Sequence, residues 1–276
     1  MIKANYHTHL VYCNHAVGHA KDYIEEAIKN HFVELGITDH APVLACFMSL
    51  YDYEHNWCHQ PMKLDVMYQY YLKELATAKK QYKDKISILT GFETEYLPQS
   101  EFFIRVLRKK VDYLNLGVHF FYYQGRILNS YDDITYQSID GYLEACVSGM
   151  KSGLFNTLVH PDLFMFNYQD QYGNRSFDEK CEIVSKKIIE TAIENQIYLE
   201  INANGIRNTS MFSTEKDWLY PNRSFWNIVK QYPEVKIIIG ADAHEPSHLA
   251  NENVELACKF ASDLGLKVEE RMVILH

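Results

Sequence analysis

The stretch Lys3-Ala4-Asn5-Tyr6-His7-Thr8-His9 reads as a short β-strand running straight into two histidines one residue apart. Residues i and i+2 of a strand share a face, so His7 and His9 can point at one place. One such pair is weak evidence, because a strand-end His is often only a satisfied structural residue. Here the arrangement recurs. Short apolar or β-branched runs at 34–38, 86–91, 113–118, 156–160, 197–201 and 235–240 also read as strands, and nearly all end in His, Asp or Glu. The endings are Thr38-Asp39-His40, Gly91-Phe92-Glu93-Thr94-Glu95, Gly117-Val118-His119, Val159-His160-Pro161-Asp162, Glu200-Ile201-Asn202-Ala203-Asn204 and Gly240-Ala241-Asp242-Ala243-His244.

Between these runs lie amphipathic stretches expected to be helices: 20–31, 64–82, 139–151, 177–195, 221–231 and 248–264. Ser176 with Glu179 forms a capping-box pattern ahead of the fourth of them. Seven strands alternating with helices imply an α/β fold with a parallel sheet, closed or distorted into a barrel. The chain, residues 1–276, is expected to be one barrel domain. The segment at about 41–63 is long, aromatic and irregular, and reads as a lid-like insertion over a site.

In a parallel barrel the strand C-termini meet on one face, where active sites of such barrels sit. Clustered carboxylates repel, and clustered imidazoles resist charging. Divalent cations remove both difficulties, and imidazole with carboxylate suits Zn, Fe or Mn. The other histidines read differently. His15 is balanced between ligand and surface; His19, His31, His248 and His276 read as surface or helix positions; His55 and His59 lie in the lid with Cys58. Tyr12 and the run Phe120-Phe121-Tyr122-Tyr123 lie near strand ends and are candidate pocket lining.

Composition narrows the function classes. Apolar residues are 47% and charged residues 23%, so disordered and fibrous classes are excluded. The formal charge is −9 and no basic block occurs, which weighs against nucleic-acid partners. A metal or an Arg pair can still make one site attractive to a small anion. Cys13, Cys46, Cys58, Cys146, Cys181 and Cys258 form no CxxC, and Met1–Tyr6 runs directly into the first motif. Reduced thiols in a cytoplasm, with no leader and no membrane span, are the expectation. No phosphate-cradling Gly-rich loop and no GxSxG elbow is present.

With these motifs in place, the chain resembles the PHP (polymerase and histidinol phosphatase) superfamily of metal-dependent phosphoesterases. The resemblance rests on His7-Thr8-His9, His15, Thr38-Asp39-His40, Gly91-Phe92-Glu93, His119, His160 and Asp242-Ala243-His244. It implies a distorted (β/α)7 TIM-like barrel of the PHP type carrying three divalent ions (Zn, Fe or Mn). His7, His9, Glu93 and Asp242 would hold one ion. Glu93 would bridge to a second, completed by His119 and His160. His15, His40 and His244 would hold the third. Within the superfamily, Val159-His160-Pro161-Asp162-Leu163, Glu200 through Arg207, and Tyr220-Pro221 are similar to the monofunctional histidinol-phosphate phosphatases.

That resemblance implies hydrolysis of L-histidinol phosphate, in histidine biosynthesis, by a hydroxide derived from a water shared between two ions. Arg207, just beyond the sixth strand, is the candidate phosphate clamp, because its planar fork matches phosphate geometry. Asp162 or a metal-held water is the candidate source of the leaving-group proton. Asp39 is a candidate acceptor for a ligand imidazole. Asp52, Glu54 and Trp57 are candidate contacts to the substrate's amine and imidazole. Arg126 is a weaker second phosphate contact, read more readily as a solvated loop residue.

Three alternatives stand beside this reading. One is a PHP phosphoesterase or exonuclease of other specificity. A second is a metal-dependent amidohydrolase, disfavoured because no Lys ends a strand. The third is a non-catalytic metal-binding barrel, disfavoured because no ligand position is lost.

Overall fold

The computed structural model describes residues 2–43, 62–209 and 218–274. Seven strands form one parallel sheet: β1 (Ala4–Asn5), β2 (Glu34–Ile37), β3 (Ser87–Thr94), β4 (Tyr113–Leu116), β7 (Thr157–Leu158), β8 (Tyr198–Asn202) and β9 (Lys236–Gly240), neighbours in that order. The register runs Leu35 beside Ile88, Phe92 beside Leu114, Leu116 beside Leu158, and Leu199 beside both Leu158 and Ile237. All four residues of β2 and of β4 are buried, as strands with covered faces require.

The sheet closes on itself, but only at its C-terminal end. Thr8 bridges Ala243 in parallel, and the His9 N–H donates to the Ala243 carbonyl at 2.9 Å. Lower down, the Asn5 side chain stands in for a ladder: its Oδ1 accepts from the Ala241 N–H at 2.8 Å. Near the bottom, Val268 of the C-terminal segment pairs with Ile237. The result is a distorted (β/α)7 barrel.

Helices α1 (Ala20–Lys29), α2 (Leu64–Val66), α3 (Leu72–Tyr82), α4 (Glu101–Arg108), α5 (Ile139–Lys151), α6 (Glu179–Glu194), α7 (Ala203–Thr209), α8 (Arg223–Val229) and α9 (Glu252–Leu264) surround it, with a π-helical turn Met67–Tyr71 joining α2 to α3. Apolar stripes turn inward, as with Tyr23, Ile24 and Ala27 of α1 and Val184, Ile188 and Ile189 of α6. Among the described residues no helix is long and apolar enough to cross a membrane.

Four features depart from the sequence reading. First, α6 is capped by Asp178, whose carboxylate accepts from the Cys181 N–H at 3.0 Å; Ser176 instead donates its hydroxyl to Asp170. The cap lies two residues later because Asp178 is the extended residue placed to meet the first free N–H groups. Second, the expected helix at 248–264 is split. A 3₁₀ turn (Pro246–Ala250) precedes α9, and Asn251 caps the latter by accepting from Asn253 and Val254 N–H.

Third, α4 and α7 form where no helix was expected. Fourth, the aromatic run after His119 is a hairpin of β5 (Phe120–Tyr123) and β6 (Arg126–Asn129), antiparallel to each other. Gln124 and Gly125, both at positive φ, make its two-residue turn. Most of the segment at 41–63 read as a lid lies outside the described residues, including Asp52, Glu54, His55, Trp57, Cys58 and His59.

Candidate metal centre

The barrel's C-terminal face gathers donors from six of its seven strands. His7 and His9 follow β1, and their backbone is held by Asn5, whose Nδ2 donates to the His7 carbonyl (3.0 Å) and to Thr8 Oγ1 (2.6 Å). His40 follows β2 and bridges Glu93 on β3. His119, His160, Asp242 and His244 follow β4, β7 and β9. His160 and Asp242 both sit at positive φ, 33° and 46°, a region that costs a non-glycine residue about 1–3 kcal/mol. Such strain persists where the surroundings fix it, here at two of the donors themselves.

Glu93 is the hub. Its Oε1 lies 2.8 Å from His160 Nε2 and 3.3 Å from His119 Nε2. Its Oε2 lies 3.2 Å from His7 Nε2, 3.4 Å from His9 Nε2 and 3.2 Å from His40 Nδ1. The two oxygens of one carboxylate thus face two different sets of imidazoles, as a bridging ligand must. A Cβ at Gly117 would collide with this carboxylate, which explains a glycine there. Asp242 Oδ1 lies 3.1 Å from His9 Nε2 and 3.4 Å from His7 Nε2. His15 and His244 approach each other Nε2 to Nε2 at 3.0 Å, and His40 stacks on His15 with ring centroids 5.3 Å apart. His15, balanced between ligand and surface by its spacing, therefore joins the cluster.

Several of these atoms are buried and lack a hydrogen bond among the described residues: His7 Nε2, both ring nitrogens of His9, and Asp242 Oδ1. Buried polar groups without partners are costly. A donor set of neutral imidazoles and carboxylates converging on one space fits divalent cations, and the groups His7–His9–Asp242, His7–Glu93–His160, His40–Glu93–His119 and His9–His40–His244 each have the reach to hold one.

The opposite nitrogens of the rings are aimed by a second layer. His7 Nδ1 meets Glu200 Oε1 at 2.8 Å, and His119 Nδ1 meets Glu95 Oε1 at 3.0 Å. The Cys13 and Asp242 carbonyls take His15 Nδ1 and His244 Nδ1 at 2.8 and 3.0 Å. Asp39, the acceptor expected from sequence, stands 3.7 Å from His9 Nδ1 and also accepts from the Leu10 and His40 N–H groups. Glu95 and Glu200 were visible as strand-end acids, but their partners follow other strands, His119 after β4 and His7 after β1, the latter not adjacent to β8.

Burial opposes charge on Glu93, Asp242, His7 and His244. For Glu93 the facing imidazoles of His119, His7 and His40 outweigh it and hold the carboxyl well below its usual range. Asp242 is held low against burial by His7, His9 and His244. His7 rises well above its ordinary value despite burial, because Asp242, Glu200 and Glu93 surround it. His244 goes the other way: burial and the neighbouring His9 push it well down. Cations entering this set replace protons on the imidazoles.

Six of the donors, His15, His40, Glu93, His119, Asp242 and His244, line a cavity of about 250 Å³ whose wall also includes Tyr131, Asn204, Arg207, Asn208 and Glu245. Arg207 thus reaches the same space, its Nε donating to Asn204 Oδ1 at 2.9 Å, while Asn204 Nδ2 donates to Asp242 Oδ2 at 3.1 Å. A larger cavity, about 370 Å³, lies beside Ile2, Tyr6 and Cys258, far from this chemistry.

Asp162 does not line the donor cavity. It is fully buried, and its Oδ2 accepts from the Asn222 N–H (2.5 Å) and Trp226 Nε1 (3.0 Å); burial pushes its carboxyl up to about 7. Arg126 sits exposed beside the hairpin turn. The aromatic wall of the cavity comes from Tyr131, stacked on His119 at 6.2 Å, instead of from Tyr12 or the Phe120–Tyr123 strand. The hairpin withdraws that run, and Tyr12 is engaged by Glu74. The Gln124-Gly125 dipeptide between two alternating runs was the available signal.

A seven-stranded parallel barrel with His and carboxylate donors at its strand ends defines a barrel of the metal-dependent hydrolase type. The sequence profile of the PHP domain matches residues 5–204, and the chain belongs to that family. The histidinol-phosphatase of Bacillus subtilis (strain 168) is 25% identical over 276 residues, covering 89% of this chain and 94% of that protein. A solved chain from Listeria monocytogenes superposes with a TM-score of 0.68 at 20% identity, over 91% of this chain and 98% of its own. A histidinol phosphate phosphatase from Lactococcus lactis, solved with Zn, L-histidinol and phosphate, superposes with a TM-score of 0.67 at 18% identity, over 96% and 95%.

Proposed function

We propose that this protein is a metal-dependent phosphomonoesterase that hydrolyses L-histidinol phosphate to L-histidinol and inorganic phosphate. One observation carries the reading: Glu93 turns its two oxygens to two imidazole sets inside a cavity whose wall also holds Arg207. The substrate follows from the nearly full-length likeness to the B. subtilis enzyme. The L. lactis structure supports it with the two products, phosphate and L-histidinol, bound.

In this reading His7, His9, Glu93 and Asp242 hold one divalent ion; Glu93, His119 and His160 a second; and His15, His40 and His244 a third. Zn, Fe and Mn all suit these ligands. Such ions supply an acidified water and neutralise charge on phosphorus-bound oxygens. The chain's own residues do the rest. Glu200 and Glu95 fix the His7 and His119 rings so that each Nε2 faces Glu93. Arg207, in the wall of the same cavity, binds a phosphate oxygen and orients the ester. Tyr131 closes the cavity beside His119. A reducing cytoplasm agrees with this, since Cys13, Cys146, Cys181 and Cys258 are free thiols.

The test is phosphate release from L-histidinol phosphate by purified protein, with metals quantified in the same sample. Turnover that disappears on chelation and returns with Zn or Mn is expected. Metal-loaded protein that releases no phosphate from this ester would overturn the substrate assignment.

A further inference from the structure

Asp162 lies two residues beyond His160 and looks, in sequence, like an acid placed for catalysis. Its surroundings say otherwise. Oδ2 is occupied by two donors, Asn222 N–H and Trp226 Nε1, and Oδ1 is buried without a partner among the described residues. A general acid must come within about 3 Å of the oxygen it protonates, or reach it through one water. The groups that Asp162 meets, Asn222 N–H and Trp226 Nε1, belong to another part of the fold and not to the donor set.

What Asp162 does reach is the start of α8. Asn222 caps that helix, its Oδ1 accepting from Ser224 and Phe225 N–H, and Trp226 is in its first turn, fully buried. The residues just before the cap bring Tyr220 against α7. A Cβ at Gly205 would collide with the Tyr220 ring, and Asn208 Nδ2 donates to Tyr220 Oη at 3.4 Å. Arg207 lies between Gly205 and Asn208 in sequence, on the same short helix.

Helix α7 has only seven residues, too few to hold its own shape in water. On its inner side it is tied to β8 by Gly205 N–H donating to Asn202 Oδ1 at 2.7 Å, and to Asp242 by Asn204. On its other sides it packs against α9 and against Tyr220.

We infer that Asp162 is a positioning residue: it pins residues 220–226, Tyr220 presses on α7, and Arg207 is thereby held facing the phosphate. This rests on the reading of Arg207 as the phosphate contact.

The experiment uses metal-loaded protein and inorganic phosphate as the probe, with binding followed by calorimetry and metal content checked in each variant. Arg207→Ala is expected to weaken phosphate binding by about 10²-fold. Asp162→Leu, which removes the acceptor, should weaken it by about tenfold through misplacement of Arg207. Asp162→Asn keeps an oxygen for Asn222 and Trp226 and should stay within about threefold of wild type. The double variant Arg207→Ala/Asp162→Leu should bind no more weakly than Arg207→Ala alone, because the two residues act in series. An Asp162→Leu effect that persists at full size without Arg207 overturns the inference.

A second arm compares Asp162→Asn on L-histidinol phosphate and on p-nitrophenyl phosphate, whose leaving group needs no proton. Equal small losses are expected; loss confined to the alkyl ester would make Asp162 the acid and overturn the inference. If Asp162→Leu does not fold, Tyr220→Ala must reproduce the loss of phosphate affinity, and its failure to do so has the same meaning. Wild-type protein that binds phosphate through Arg207 yet leaves L-histidinol phosphate intact defeats only the substrate reading. Undiminished phosphate binding by Arg207→Ala defeats both.

Discussion

The two ends of this barrel are built from similar residues and satisfy them differently. At the N-terminal end, Glu34 is buried like Glu93, but both of its carboxylate oxygens are matched. Its carboxylate accepts from Tyr6 Oη (2.6 Å), Ser87 Oγ (2.9 Å) and Arg271 Nη2 (2.7 Å). Tyr6 Oη in turn accepts from Met272 N–H at 2.9 Å, and the Tyr6 carbonyl takes Tyr113 Oη and Asn115 Nδ2, each at 2.8 Å. At the C-terminal end, buried donors and acceptors face one another across a cavity and leave His7, His9 and Asp242 atoms without hydrogen bonds. One end is closed by the chain itself. The other is completed only by something added. Buried polarity alone therefore does not mark a site; partnerless donors that converge on one space do.

The largest effects expected are at the open end. His9→Ala or Glu93→Ala should lower phosphate release from L-histidinol phosphate by about 10³-fold or more, since each removes a donor from more than one ion group. Chelation should match this loss in the wild type and add little to it in the variants. Thermal unfolding separates the site from the fold: a chelator should lower the wild-type melting temperature, because ions bind the folded state only, and should shift His9→Ala much less. Near-normal turnover in either variant would undo the contrast between the two ends.

That contrast was half legible in the sequence. The open end was, because its donors recur at strand termini; the full set of nine positions from His7 to His244, with His15 among them, was nameable through the resemblance to the PHP superfamily. The closed end was not, since Tyr6, Glu34 and Arg271 are ordinary residues whose pairing spans 237 positions. The same distance hid the roles of Glu200 and Asp162. His7 and Glu200 are 193 residues apart, and Asp162 meets Trp226 across 64. Barrel closure brings these pairs together, and periodicity does not encode which pairs form. The hairpin after His119 was missed for a local reason: an alternating aromatic run looks the same whether it lines a pocket or folds back on itself.

A middle-sized effect tests the layer behind the donors. Glu200 is fully buried, and its second oxygen accepts from the His160 N–H at 3.1 Å and Asn202 Nδ2 at 2.9 Å. Glu200→Gln keeps the shape but gives His7 a weaker acceptor, so metal affinity should fall by about 10- to 100-fold. Activity at saturating Zn should largely recover. Metal titration of turnover reads both quantities, and an unchanged titration would show that the His7 ring is fixed by packing alone.

The smallest effect on catalysis belongs to the closed end. Burial pushes the Glu34 carboxyl up, but the hydrogen bonds from Arg271, Tyr6 and Ser87 outweigh it and hold it below its usual value. A carboxyl lowered in the folded state stabilises above the ordinary range, about pH 4.3, and loses that contribution as pH falls through its folded value. Glu34→Gln should therefore reduce stability at neutral pH, and the gap from wild type should narrow below about pH 4. Removing one partner of a buried pair costs about 3–5 kcal/mol, but Arg271 is 57% exposed, so about 1–2 kcal/mol is expected. Denaturant unfolding at two pH values measures this. Turnover per bound metal should stay within about twofold of wild type, because nothing in this network touches the donor cavity. If Glu34→Gln instead lowered activity at full metal loading, the two ends would be coupled through the strands, and the division drawn between them would fail.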